Sequence, residues 1–273
     1  MQWFAGLSLI GLAVAIFASM LLASFIGYGA RRLERRLTVR AEEPEHSQES
    51  YLVGGMLGLL ALLLAFSFSI ALERFDERRH LVVKEANAIG TAYLRTQMLD
   101  EPHRSRLSGL LVNYTDNRIK LAGVAPAQLD AQLAINDRLL TDIWAAVSAA
   151  RESALVHGIS TPLLMTFNEV IDLDTERKIS RKLRMPKEVL QLLFGFLVLT
   201  AAVLGYVLEE RRGRIGAAVL FLLLSLYVGI IADLNRPSSG NIRESQEPML
   251  LLRASLKAQP PTVFDRYRTE AAQ

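Results

Sequence analysis

Four stretches without a charged residue constrain this chain more than any other feature. Trp3 to Ala30 runs for 28 residues, Tyr51 to Leu72 for 22, Val189 to Leu208 for 20 and Ile215 to Ala232 for 18. A helix needs roughly 20 apolar residues to cross a ~30 Å hydrocarbon layer. In lipid, a helix satisfies all its backbone donors and acceptors from a single segment. The first stretch is too long for a secretory leader, carries no basic residue at its start, and shows no small-residue cleavage site. It reads as a retained span. The expected fold is an all-α integral membrane protein with four transmembrane helices and a helical extramembrane domain between the second and third.

The expected boundaries follow from these blocks. Residues 1–30 form the first span, 31–50 a charged loop, 51–72 the second span, and 73–188 the helical domain. Residues 189–208 and 215–232 form spans three and four, and 233–273 a polar C-terminal tail. Within the helical domain, Val82, Ala86, Ile89 and Tyr93 recur at helical spacing, as do Leu107, Leu110, Leu111 and Tyr114. The stretch GVAP at 123–126 breaks the chain, and a last helix starts near Thr161-Pro162, where proline suits an early helical position. No Val/Ile/Thr alternation marks a strand.

Composition excludes several classes of function. There is no cysteine, so disulfides and thiol chemistry are out. The net charge of +3 is small beside 31 basic and 28 acidic residues, which argues against a nucleic-acid surface. The basic residues instead gather at the ends of the spans, where lipid headgroups and topology account for them. His46, His80, His103 and His157 are scattered, and no metalloprotease, phosphate-loop or nucleophile-elbow pattern occurs. Glu169, Asp172 and Glu176 share a region of one helix but read as a solvated face, since hard-cation sites draw several loops and carbonyls together. No catalytic, metal or cofactor site is expected.

The second span is the most informative. Gly55, Gly58, Leu62, Phe66, Ser69 and Glu73 fall on one side of a helix, spaced 3, 4, 4, 3 and 4. Glycines, then large apolar residues, then a hydroxyl and a carboxylate would suit a narrow pore with a dewetting constriction. Packing is the competing account, because small residues also let membrane helices approach closely. No span carries an internal charge, so a proton relay through the bilayer centre has no support.

Two stretches carry a family resemblance: AFSFSIALERFDERRHLVVKEANAIGTAYLR from Ala65, and DLNRPSSGNIRESQEPMLLLR from Asp233. They resemble the bacterial bestrophin-like membrane proteins and, more distantly, the bestrophins, which are pentameric four-span ion channels with a large cytosolic helical region. The resemblance implies a homo-oligomeric, multi-pass protein of the bacterial inner membrane that conducts inorganic ions, its lipid-embedded spans surrounding a pore. It places an apolar neck at Gly58, Leu62 and Phe66, with Gly58 departing from the family's bulkier residue. Ser69, Glu73, Arg74 and Arg78 would form the pore mouth, though Phe75-Asp76 replaces the family's paired aromatics. Asn235, Pro237 and Gly240 resemble the turn after span four, and the acidic calcium clasp of animal members has no counterpart.

Charge alone leaves orientation open. Eight basic residues flank the short loops and twelve the opposite ends, so the short-loop count and the total count disagree. The resemblance implies a cytoplasmic helical domain and cytoplasmic termini. A non-conducting sensor or scaffold, its helical domain binding a partner or ligand, is the alternative function.

Overall fold

The computed structural model describes residues 8–37, 46–237 and 240–266. Residues 1–7 of the first expected span, 38–45 of the charged loop, and 238–239 and 267–273 of the expected tail lie outside the described residues. Nine α-helices are seen among the described residues: α1 (Leu9–Leu37), α2 (His46–Thr96), α3 (His103–Gly123), α4 (Leu129–Ala149), α5 (Arg151–Val156), α6 (Ser160–Lys182), α7 (Lys187–Val207), α8 (Arg211–Leu234) and α9 (Glu247–Ala258). No strand occurs among the described residues, and α1, α2, α7 and α8 each hold a segment long and apolar enough to cross a membrane. The GVAP break is real, since α3 ends at Gly123 and a short 3₁₀ turn over Pro126–Gln128 precedes α4.

The chain divides into two compact units. The membrane unit comprises Met1–Phe75 and Arg184–Arg243, and the helical unit comprises Asp76–Leu183 and Glu244–Gln273. Helix α2 contributes to both, because ERFDERR does not interrupt it. Glu and Arg are good helix formers, so the change from apolar to charged residues marks a change of solvent and not the end of a helix.

In the membrane unit, α1 buries a stripe of Leu12, Ile16, Met20, Ala23, Gly27 and Arg31, spaced three or four residues apart. Between lipid-embedded helices the attraction comes from close packing more than from the hydrophobic effect. Glycine provides that closeness where α1 meets α7. A Cβ on Gly205 would lie 2.6 Å from Ser24 Cα, and one on Gly27 would lie 2.9 Å from the Ala202 carbonyl carbon. Each glycine thus admits the backbone of the other helix. At the end of this contact Arg31 Nη1 donates to Glu49 at 2.5 Å and Arg31 Nε to Glu209 at 3.1 Å, with the guanidinium over the Tyr206 ring.

The helical unit has a core of Val82, Ile89, Leu107, Leu111, Ile143, Leu163 and Phe167, drawn from α2, α3, α4 and α6. Residues 247–258, expected as polar tail, instead form α9. Met249, Leu252 and Leu256 lie at helical spacing, and Met249 and Leu256 are buried in the same core. The Tyr93 hydroxyl donates to the Gln259 carbonyl at 2.8 Å, and Arg104 pairs with Asp265 at 2.5 Å. The stripe of Met249, Leu252 and Leu256 is what packs this helix on the core.

Candidate functional site

Two sets of side chains stand out, one on each unit. On α2 the inward stripe of the membrane unit is Leu60, Leu64, Ser67 and Ala71, spaced 4, 3 and 4. Leu62, Phe66, Ser69 and Glu73 each follow one of these by two residues, or about 200° around the helix. They therefore point away from α1, α7 and α8. Leu62 is 52% exposed and Phe66 59% exposed on a single subunit, and Ser69 and Glu73 are exposed as well. A Cβ on Gly54, Gly55 or Gly58 would meet nothing within 4 Å. These glycines admit no other helix of the same chain, in contrast to Gly27 and Gly205.

Arg78 does not join this face. It is 4% exposed, and its Nε donates to Glu244 at 2.5 Å inside the helical unit. The reason is its register: Arg78 lies one turn before Val82 on the stripe that α2 turns into that unit's core. Arg74 is half-buried, at the boundary between the two behaviours.

The turn after α8 is built around Asp233, a residue the sequence reading passed over. Its carboxylate accepts from the backbone N–H groups of Asn241 at 2.9 Å and Ile242 at 2.8 Å. Asn235 Oδ1 accepts from Met185 N–H at 2.8 Å, anchoring the entry to α7. Gly240 donates to the Arg236 carbonyl, and a Cβ there would lie 2.8 Å from both the Arg236 and the Asp233 carbonyl oxygens. Glycine is required at 240 by lack of space, and Pro237 is buried.

The helical unit encloses a charged core. Glu85 accepts from the Tyr114 hydroxyl at 2.8 Å, from Arg118 Nη2 at 3.1 Å and from Arg177, with Arg118 Nε at ion-pair distance, 2.8 Å. Arg118 Nη1 also donates to Asp174 at 2.9 Å, as does Asn136 Nδ2 at 2.9 Å. Asn117 donates to Asn136 at 3.2 Å, and Lys178 joins Asp174 to Asp137. Glu85, Tyr114, Arg118, Asn136, Asp174 and Arg177 are all buried. Burial pushes the Glu85 carboxyl up, but Arg118 and then Arg177 outweigh it and hold the group below the ordinary carboxylate range. Burial, reinforced by the Glu85 charge, drives the Tyr114 hydroxyl well above its usual value. Glu85 is therefore an anion and Tyr114 a neutral donor.

A signal for this core was present in the sequence. Glu85 sits between Val82 and Ile89 on an apolar stripe, Arg118 between Leu111 and Leu121, and Arg177 one turn beyond Leu173. A charge where the helical period calls for an apolar side chain marks a buried partner. Glu169, Asp172 and Glu176, on the other face of α6, are exposed. Among the described residues, no three His, Asp or Glu side chains gather as a cation site would require.

The family model for the bestrophin-like domain matches residues 17–249 of the chain. The chain belongs to the bestrophin-like family. Solved structures place its fold independently of that match. A bacterial bestrophin homologue from Klebsiella pneumoniae, crystallised as a point mutant, aligns with a TM-score of 0.64 at 16% identity, over 92% of this chain and 96% of that one. A second mutant crystal structure of the homologue aligns with a TM-score of 0.65 at 16% identity, covering 90% of this chain and 97% of that one. The form phased with zinc aligns at 0.61 and 16%, covering 89% and 95%. No functionally curated sequence shows significant similarity to the chain. At this identity the bestrophin-like chain shares the fold of these structures.

Proposed function

We propose that this bestrophin-like protein is the subunit of an oligomeric ion channel, with α2 lining the pore. One observation carries the reading: the face bearing Gly55, Gly58, Leu62, Phe66, Ser69 and Glu73 is contiguous and turned away from every other span of its own chain. Such a face has three possible neighbours: lipid, another subunit or a lumen. Lipid alone does not favour its order of glycine, apolar bulk, hydroxyl and carboxylate, and it does not favour Glu73 on a membrane-flanking turn.

Around a symmetry axis, Leu62 and Phe66 form an apolar neck that opens by wetting, and Gly58 leaves the level beyond it wide. Ser69, Glu73 and Arg74 form the mouth. Arg78 stays out of the lumen as the partner of Glu244. Membership of a family whose characterised relatives are pentameric channels supports this arrangement. The reading puts the protein in the bacterial cytoplasmic membrane, with the helical unit and termini in the cytoplasm. Planar-bilayer recording of purified protein tests the reading. It requires a unitary conductance that Leu62→Ala and Phe66→Ala change in size or gating, and silence from well-folded oligomers refutes it.

A further inference from the structure

The charges of the helical unit's core do not balance. Arg78 is matched by Glu244, while Arg118 and Arg177 are matched by Glu85 and Asp174. Lys178 bridges Asp174 and Asp137. Arg181, one helical turn after Arg177 on α6, has no hydrogen bond or ion pair among the described residues. Apart from the Lys178–Asp137 pair, the network holds four arginines and three carboxylates. One positive charge is left over, and Arg181 carries it.

A guanidinium does not resolve such a surplus by losing its proton, because its pKa stays above about 12 in proteins. Burial lowers the Arg181 pKa and the neighbouring Arg177 charge lowers it further, together outweighing the opposite pull of Glu244 and Glu85. Beside it lies a small cavity lined by Arg78, Leu81, Arg177, Ser180, Arg181 and Glu244. The Ser180 hydroxyl is also without a partner among the described residues. Glu244 adds no repulsion for an anion there, because Arg78 neutralises it at 2.5 Å. Two unused donors, one of them charged, thus face the same space.

We propose that this cavity is a binding site for one small monovalent anion of the halide class, held by Arg181 and Ser180 with Arg177 behind them. Size sets the class. The cavity volume is about 10 Å³, at the lower edge of the roughly 10–15 Å³ that a single water occupies. A monatomic halide is somewhat larger than a water and enters only as the arginine side chains move apart, whereas a phosphate or sulfate, several times larger, is excluded. The part-exposed Arg181 leaves a route for exchange. Bound there, the anion completes the charge balance where α2, α6 and the segment before α9 meet. This inference is independent of conduction, because it concerns the core of the helical unit and not the outward face of α2.

The test is thermal unfolding of the full-length protein in detergent, with sodium chloride replacing sodium gluconate at constant ionic strength. Wild type should show a saturable rise in melting temperature with chloride. Sulfate should not reproduce it. Arg181→Gln should abolish the rise and, in gluconate, melt no lower than wild type, because it removes an uncompensated charge. Ser180→Ala should shift the rise to higher chloride, and Arg151→Gln, at an exposed position, should leave it intact. Chloride NMR line broadening, lost in Arg181→Gln, reads binding without reference to stability. Absence of a saturable rise in wild type overturns the proposal, as it would if a second subunit's carboxylate filled the cavity. An undiminished rise or undiminished line broadening in Arg181→Gln overturns it equally.

Discussion

Glu85 is the carboxylate on which the helical unit's charged core depends, and Glu85→Gln removes its charge while keeping its shape. In the wild type it receives hydrogen bonds from Tyr114, Arg118 and Arg177, all buried. The amide leaves Arg118 with Asp174 alone and Arg177 with no anion in the network. Removing one partner of a buried ion pair costs about 3–5 kcal/mol, because the remaining charge stays desolvated. For a unit of this size that corresponds to a fall in melting temperature of about 10–15 °C. Circular dichroism of the detergent-solubilised protein measures it, with Glu169→Gln on the exposed face of α6 expected to stay within ~0.5 kcal/mol of wild type. The pH dependence has a fixed sign. The Glu85 pKa is depressed below its ordinary 4.5, so its contribution is complete above that value and is lost as pH falls through the folded-state pKa. The gap between wild type and Glu85→Gln should accordingly be constant near neutrality and close in acid. A fall of less than about 3 °C at neutral pH, the effect of a contact worth ~1 kcal/mol, would refute the assignment of a buried, ionised Glu85.

Two other substitutions test the membrane unit. Gly205→Leu places a side chain where the α1 backbone lies, so no monodisperse folded protein should elute in size-exclusion chromatography, while Gly55→Leu on the open face should still fold. Gly240→Ala forces its Cβ against the Arg236 and Asp233 carbonyls and should cost about 1–3 kcal/mol, the usual range for overpacking, read as a lowered melting temperature.

The spans were legible because lipid enforces a simple rule: uncharged length means crossing. The helical character of the insert was legible for a similar reason, since Val82, Ala86, Ile89 and Tyr93 keep a helical period. What escaped the sequence involves relations between distant residues. The pairing of Glu85 with Arg177 joins positions 92 apart in the chain, and local period gives no sign of which opposite charge will meet which. The resemblance puts Arg78 at the mouth with Arg74, yet one turn after Arg78 comes the core residue Val82, and the stripe Arg78 belongs to decides its burial. The segment 247–258 lies in a stretch that reads as polar overall, although Met249, Leu252 and Leu256 among its five large apolar residues share one face. Asp233 was overlooked because a carboxylate that accepts backbone N–H bonds from Asn241 and Ile242 is set by the path of a turn that no periodic pattern describes.

The proposed channel requires α2 to turn its Leu62/Phe66 face toward a lumen. Single-channel recording of the purified protein, wild type against Phe66→Ala, addresses that directly. An enlarged conductance or a gate that no longer closes in the variant is the predicted result, since shortening Phe66 widens and wets the neck. Identical currents from the two proteins, or none from intact oligomers of either, would contradict it.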